Sequence, residues 1–373
     1  MRFLYDAVGL GMWAYSHAAF RVQVLGPRRF RLEPGTMIIV THRRETDVPV
    51  IGPVLYFGGR LWRNVGDRMA FAARDDMFVR GFFAGFAQGL SPTRRRLLYR
   101  IGVGPGLPLV HVHPIGSARL ALVKQVLELQ PAAPLEQSLS DELVGQLHER
   151  AAAAGLPRPA RASDVLRGEY ADVLFRPVSR DEVGARRADE LWARRAGDAA
   201  RDFRFLVELV RVGRSLVVFP EGRPSPDGEI GPLRRGIDAL VRRARPRHVL
   251  PLSIAYDPLV HGRTRVLVSV GELVPPPAED IERSILGTLR GSLPLTSGQV
   301  VATELLAGRA PSAADLADAV ARAREEGRPV DPDLEQAGGR ARRLDEALAA
   351  ADEQREHLPF LAREYESARA NPS

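Results

Sequence analysis

His42 and Asp47 stand five positions apart in the stretch Thr-His-Arg-Arg-Glu-Thr-Asp, directly after an apolar run that ends at Val40. On a regular α-helix, residues at that spacing point about 140° away from each other. The two therefore cannot pair within one helix. They can pair across a turn, if a strand ends near Val40 and a helix starts near Thr46 or Asp47. Either residue suits an N-cap, and Pro49 is tolerated in a first helical turn. In that geometry the carboxylate fixes one ring nitrogen as N–H and leaves the other to take a proton from a hydroxyl.

A second polar cluster lies far along the chain, in Val-Val-Phe-Pro-Glu-Gly-Arg-Pro-Ser-Pro-Asp-Gly, residues 217–228. An apolar run reads directly into Pro220, Glu221 and Gly222, then into a turn rich in Pro, Ser, Asp and Gly. A carboxylate and an arginine at the C-terminal end of a strand sit where open α/β sheets bind ligands. Arg223 suits a phosphate, since its guanidinium can donate two parallel hydrogen bonds. A polar turn with no further role is the plain alternative. His111 and His113 offer a rival chemistry: on a strand they face the same side, as metal ligands would. No third ligand and no His-Glu-x-x-His pattern accompanies them. Gly102, Gly104 and Gly106 are not a phosphate loop, because no Gly-Lys-Ser/Thr follows.

These residues need elements to hold them. Strand-like runs occur at 37–40, 107–112, 215–219, 248–255 and 265–270, with helical patterns between several of them. That alternation predicts an α/β fold: a mixed, mostly parallel sheet flanked by helices. Residues 1–34 read as an N-terminal amphipathic helical segment, suited to a membrane surface or to ordinary packing. The core is expected at 35–130 and 206–275. Between its halves, 131–205 reads as a helical insertion, with Leu139, Leu143 and Leu147 at helical spacing. A helical extension follows over 285–373, with Ser312 and Asp315 as a capping box and a highly charged stretch at 340–356 that reads as a solvated helix or a loose tail.

Composition narrows the chemistry. The chain has 373 residues, 45% of them hydrophobic, enough for a substantial core. It has no cysteine, which excludes disulfides, thiolate zinc sites and cysteine nucleophiles. No signal peptide and no spanning segment is evident, so a soluble or peripheral protein is expected. Net charge is +7, which favours phosphorylated or anionic partners. Lys124 is the single lysine among 53 basic residues, a bias that GC-rich coding explains without any anionic partner. The dispersed arginines lack the aromatic interleaving of single-strand nucleic-acid platforms.

Taken in order, the stretches at 41–47, 219–236 and 249–257 resemble the first, third and fourth motifs of the glycerol-3-phosphate and lysophosphatidate acyltransferases. The resemblance covers roughly residues 35–275, apart from the insertion. The sequence 254–257 and the later Thr-Ser-Gly-Gln stretch lean toward the glycerol-3-phosphate side. The resemblance implies transfer of a fatty acyl group from acyl-CoA or acyl carrier protein to a hydroxyl of glycerol 3-phosphate or a lysophospholipid. It implies a role in phospholipid biosynthesis with no cofactor beyond the donor itself. His42 would be the general base and Asp47 its partner. Glu221, Gly222, Arg223, Ser225 and Arg119 would serve substrate binding. Where that family has Thr-Arg-Ser after Glu-Gly, this chain has Arg223-Pro224-Ser225. The second motif offers Arg119 late. With no Cys and no Gly-x-Ser-x-Gly elbow, direct attack by the acceptor hydroxyl is simpler than an acyl-enzyme. A peripheral place on the cytoplasmic face of the cell membrane is expected. Anionic contact is expected through the N-terminal helix and residues 78–90. The alternative from another class is a nonenzymatic basic module for anionic lipid or nucleic acid.

Overall fold

The computed structural model describes residues 2–26, 32–58, 68–86, 91–183 and 185–370. The chain forms two compact units, residues 1–71 with 207–373, and residues 72–206.

Six strands order the first unit as β1-β9-β8-β2-β7-β3. They are β1 (Arg21–Leu25), β2 (Thr36–Val40), β3 (Ala70–Arg74), β7 (Leu216–Val218), β8 (His248–Asp257) and β9 (Arg265–Val270). β2 lies parallel to both β7 and β8, β3 parallel to β7, and β1 parallel to β9. β8 and β9 pair antiparallel. The sheet is therefore mixed and mostly parallel, as the alternation of strand and helix patterns predicts. Every residue of β2, β7 and β9 is buried, which is why these strands read as continuous apolar runs rather than alternating ones. β1 and β3 had no such signature and escape a sequence reading.

An N-terminal helix, Arg2–Ala19, and the helix Asp47–Gly58 pack together. The C-terminal helices Ser297–Leu306, Ala337–Ala351 and Leu358–Arg369 form further cores, with Leu295, Val300, Leu316 and Tyr365 in one and Leu259, Val301, Ala347 and Leu361 in another. The charged stretch at 340–356 is thus helical with one solvated face, not a loose tail. Its helix buries Ala347, Ala350 and Ala351, and Arg343 is itself buried, donating to Asp333 and Glu346.

In the second unit β3 runs on, with β4 (Val112–Ile115) next in the strand order. A small antiparallel pair, β5 (Ala121–Leu122) and β6 (Pro177–Val178), lies elsewhere. The strand expected at 107–112 is a 3₁₀ turn instead, Gly104–Val110. Pro105 and Pro108 lack the N–H a ladder needs and fix φ near −65°. Helix Asp141–Ala153 buries Leu143 and Leu147 in a core shared with Leu139, Leu122 and Leu174. Helix Ala185–Arg211 closes the unit and continues into the first. Within residues 78–90, Phe82 is buried and Phe83 is exposed; residues 87–90 and the Phe86 side chain lie outside the described residues.

Candidate active site

Strand register brings the two polar clusters together. On one side of β2, Ile39 lies beside Val218 of β7. Three residues further along each strand, the same offset sets His42 beside Glu221. On the other side, Val40 lies beside Leu252 of β8, and four residues on, Arg44 meets Tyr256. Parallel neighbours keep a constant offset, so residues far apart in sequence leave the sheet at one end. That is the carboxyl end, where open α/β sheets bind ligands.

The turn after β2 folds back so that helix Asp47–Gly58 starts at the aspartate. Asp47 is fully buried, and its Oδ2 accepts from His42 Nδ1 at 2.9 Å and from the amides of Arg43 and Arg44 at 2.6 and 3.0 Å. Its Oδ1 accepts the Tyr256 hydroxyl at 2.8 Å. A carboxylate only accepts, so His42 Nδ1 carries the hydrogen and Nε2 holds the lone pair. Nε2 has no hydrogen-bond partner among the described residues. The imidazole lies 4.5 Å from the Phe219 ring, centroid to centroid. Burial first, and then the Asp47 charge, push the Tyr256 phenol well above its usual range, so it stays a donor.

Glu221 follows β7 through Phe219 and Pro220. Its Oε1 accepts the His42 amide at 2.8 Å, and both of its oxygens accept from Arg43 Nη2, at 3.1 and 3.0 Å. Arg43 is buried, and its Nη1 donates to the carbonyls of Gly228 and Glu229. Gly222 turns the chain at φ +72°, and a Cβ there would fall 2.9 Å from Arg234. The position needs glycine on both counts. Arg234 Nε donates to the Glu221 carbonyl at 3.3 Å. The Ser225 amide donates to the His42 carbonyl at 2.9 Å, and its hydroxyl accepts from the Gly228 amide. Arg223 is exposed.

His42, Asp47, Glu221, Gly222 and Ser225 thus form one bonded cluster within the first unit. Arg119 belongs to the second unit, where its carbonyl accepts from Trp192 Nε1. The same-face premise for His111 and His113 fails. His111 takes a left-handed conformation, φ 60°, at the end of the 3₁₀ turn, and only His113 lies on β4, its ring 4.8 Å from Phe205. Sequence reasoning passed over Arg43 and Tyr256 as site residues. Both stand inside the quoted motifs, but nothing in their residue types marks them.

Behind the cluster, the C-terminal helix carries Glu364. It is fully buried, accepts from Gln299 Nε2 at 2.8 Å, and has one oxygen without a partner among the described residues. Burial pushes its carboxyl up to about 7, against the opposing charge of Arg43.

The sequence from residue 172 to 255 matches the family model described as Acyltransferase. That segment takes in Glu221 and most of β8, while His42 lies outside it. No curated protein matches. Among solved structures, the chain is similar to the 1-acyl-sn-glycerophosphate (LPA) acyltransferase PlsC from Thermotoga maritima, at 14% identity over 78% of each chain with a TM-score of 0.40. So loose a likeness carries no argument about the site. Over residues 172–255 the chain is thus similar to the acyltransferases, and the ordered stretches that resemble their motifs meet at the carboxyl ends of β2, β7 and β8.

Proposed function

We propose that the protein transfers a fatty acyl group from acyl-CoA or acyl carrier protein to a hydroxyl of glycerol 3-phosphate or a lysophospholipid, in phospholipid biosynthesis. The observation that carries this reading is the His42–Asp47 pair, 2.9 Å apart with Nε2 uncommitted. In the proposed step the acceptor hydroxyl attacks the thioester carbonyl while Nε2 takes its proton, a contribution of roughly 10²–10⁴-fold. The tetrahedral adduct then collapses, the carbon–sulfur bond breaks, and the leaving thiolate takes the proton from the imidazolium. An ester and a free thiol result, with no net change at the protein. Asp47 holds the ring and offsets its transient charge. The step asks for no cofactor beyond the donor.

The acceptor's phosphate has arginines to meet, with Arg223 exposed beside the cluster and Arg234 against Gly222. Membrane attachment, at the cytoplasmic face, is part of the proposal. Its support is the N-terminal helix, which exposes Phe3, Leu10, Trp13 and Tyr15. No helix among the described residues is long and apolar enough to cross a membrane. Against a purely basic docking module stands the placement of several arginines. Arg43, Arg68 and Arg265 are buried in ion pairs and present no charge to a partner.

The test is thiol release from acyl-CoA or acyl carrier protein by purified protein, with a lipid extract as source of acceptor and product identified by mass. His42→Ala is expected to abolish transfer while leaving the fold and donor binding intact. Full transfer to the authentic acceptor by His42→Ala overturns the assignment.

A further inference from the structure

Glu221 has no acceptor capacity left for a substrate. A carboxylate offers about four lone-pair sites. Oε1 already accepts the His42 amide and Arg43 Nη2, and Oε2 accepts Arg43 Nη2 and faces the Gly231 amide at 3.5 Å. Its side chain is 5% exposed. Both Nη atoms of Arg43 are committed as well, while its Nε is buried without a partner among the described residues. One guanidinium nitrogen grips Glu221, the other the carbonyls of Gly228 and Glu229, and the backbone amide donates to Asp47 Oδ2. Its side chain has no exposure at all. Arg43 thus ties three things to one point: the carboxylate that orients His42, the carboxylate that follows β7, and the loop after Glu221.

Resting on the acyltransferase reading above, we propose that Glu221 and Arg43 are a pair of positioning residues. They lock the His42 backbone between β2 and β7, and neither touches donor or acceptor. The fork geometry is needed, because a lysine ammonium cannot hold a carboxylate edge and two carbonyls in one plane. Glu221 is consequently not an acceptor-binding group, and the acceptor is held by residues that still have free donors.

The two roles separate in the kinetics. Glu221→Gln and Arg43→Gln are expected to lower kcat by about 10²-fold, the scale of a 1 Å misplacement, with the KM for each substrate within about threefold of the parent. The double variant Arg43→Gln/Glu221→Gln loses no more than the worse single, because one clamp is broken in every case. Arg43→Lys gives no rescue. Each single change leaves an unpaired buried charge, whereas the double leaves a neutral pair, so the double melts higher than either single. A rise of tenfold or more in acceptor KM for Glu221→Gln, with kcat retained, overturns the proposal. So do additive losses of kcat or of Tm. If the parent protein turns over no acceptor, the acyltransferase reading fails, while the melting cycle still decides whether the clamp exists. If a single variant does not fold, the double carries the test: it folds if the clamp is a charge pair, and its failure to fold counts against the proposal.

Discussion

Asp47→Asn replaces the orienting carboxylate by an amide of nearly the same shape, and the network around it decides how that amide sits. Oδ2 faces three N–H donors, those of His42 Nδ1, Arg43 and Arg44. Oδ1 faces the Tyr256 hydroxyl. An asparagine must place its carbonyl oxygen at the Oδ2 position, since the reverse points an NH2 at three donors. The NH2 then meets Tyr256, whose oxygen can accept while its hydrogen turns to Thr46 Oγ1, 3.2 Å away. The ring keeps its tautomer. What is lost is the negative charge opposite the imidazolium.

Two unit charges about 4 Å apart interact by roughly 4 kcal/mol at an effective dielectric of about 20, and the neutral hydrogen bond that remains contributes about 1 kcal/mol. The difference of about 3 kcal/mol is roughly 10²-fold in kcat. A ring held in the wrong tautomer loses about 10⁴-fold instead. Adding Tyr256→Phe removes the acceptor that the amide meets, so the double variant falls well below Asp47→Asn alone. Thiol release from an acyl-CoA reads all of these cleanly, because the protein has no cysteine of its own. A loss of 10⁴-fold or more for Asp47→Asn, matching His42→Ala, refutes the fixed amide orientation. Unchanged kcat refutes any use of the charge.

Glu364 makes stability depend on pH. Its carboxyl is raised from 4.5 to about 7 by burial, so the folded state holds the proton more tightly than the unfolded chain. The stability this group allows is complete below pH 4.5 and declines by about 3 kcal/mol as pH rises to about 7. Glu364→Gln is expected to melt higher than the parent at pH 8 and near it at pH 4.5; an equal gap at both, in denaturant titrations, rules this out. Flotation with anionic vesicles is expected to carry the protein at low salt and less of it at high salt, as screened attraction requires. No flotation in either condition removes the membrane proposal.

Much of the sheet was legible because buried parallel strands are written as apolar runs, and 37–40, 215–219, 248–255 and 265–270 are such runs. β1, with exposed and half-buried positions, and the short β3 carry no comparable signature. The run at 107–112 misled for the opposite reason. It is apolar, but its prolines forbid the ladder. The His42–Asp47 pairing was legible from spacing and capping chemistry, since it closes over a single turn.

Convergence of the distant residues was another matter. It depends on the offset between β2 and β7, and no local property of either strand encodes an offset. That is why Arg43 and Tyr256 went unnoticed as site residues. An arginine between a histidine and a second arginine reads as surface charge until the register puts a buried carboxylate opposite it. The same holds for the Thr-Ser-Gly-Gln stretch. Ser297 Oγ and the Gly298 amide both donate to the buried Asp257, and a Cβ at Gly298 would come within 2.3 Å of that carboxylate. The stretch fastens a C-terminal helix to the end of β8, one residue beyond Tyr256. Residues that look like substrate-binding motifs in the sequence therefore divide in the fold. His42 and Asp47 present a free ring nitrogen, Glu221 and Tyr256 spend their hydrogen bonds around that pair, and Asp257 spends its own on the C-terminal helix.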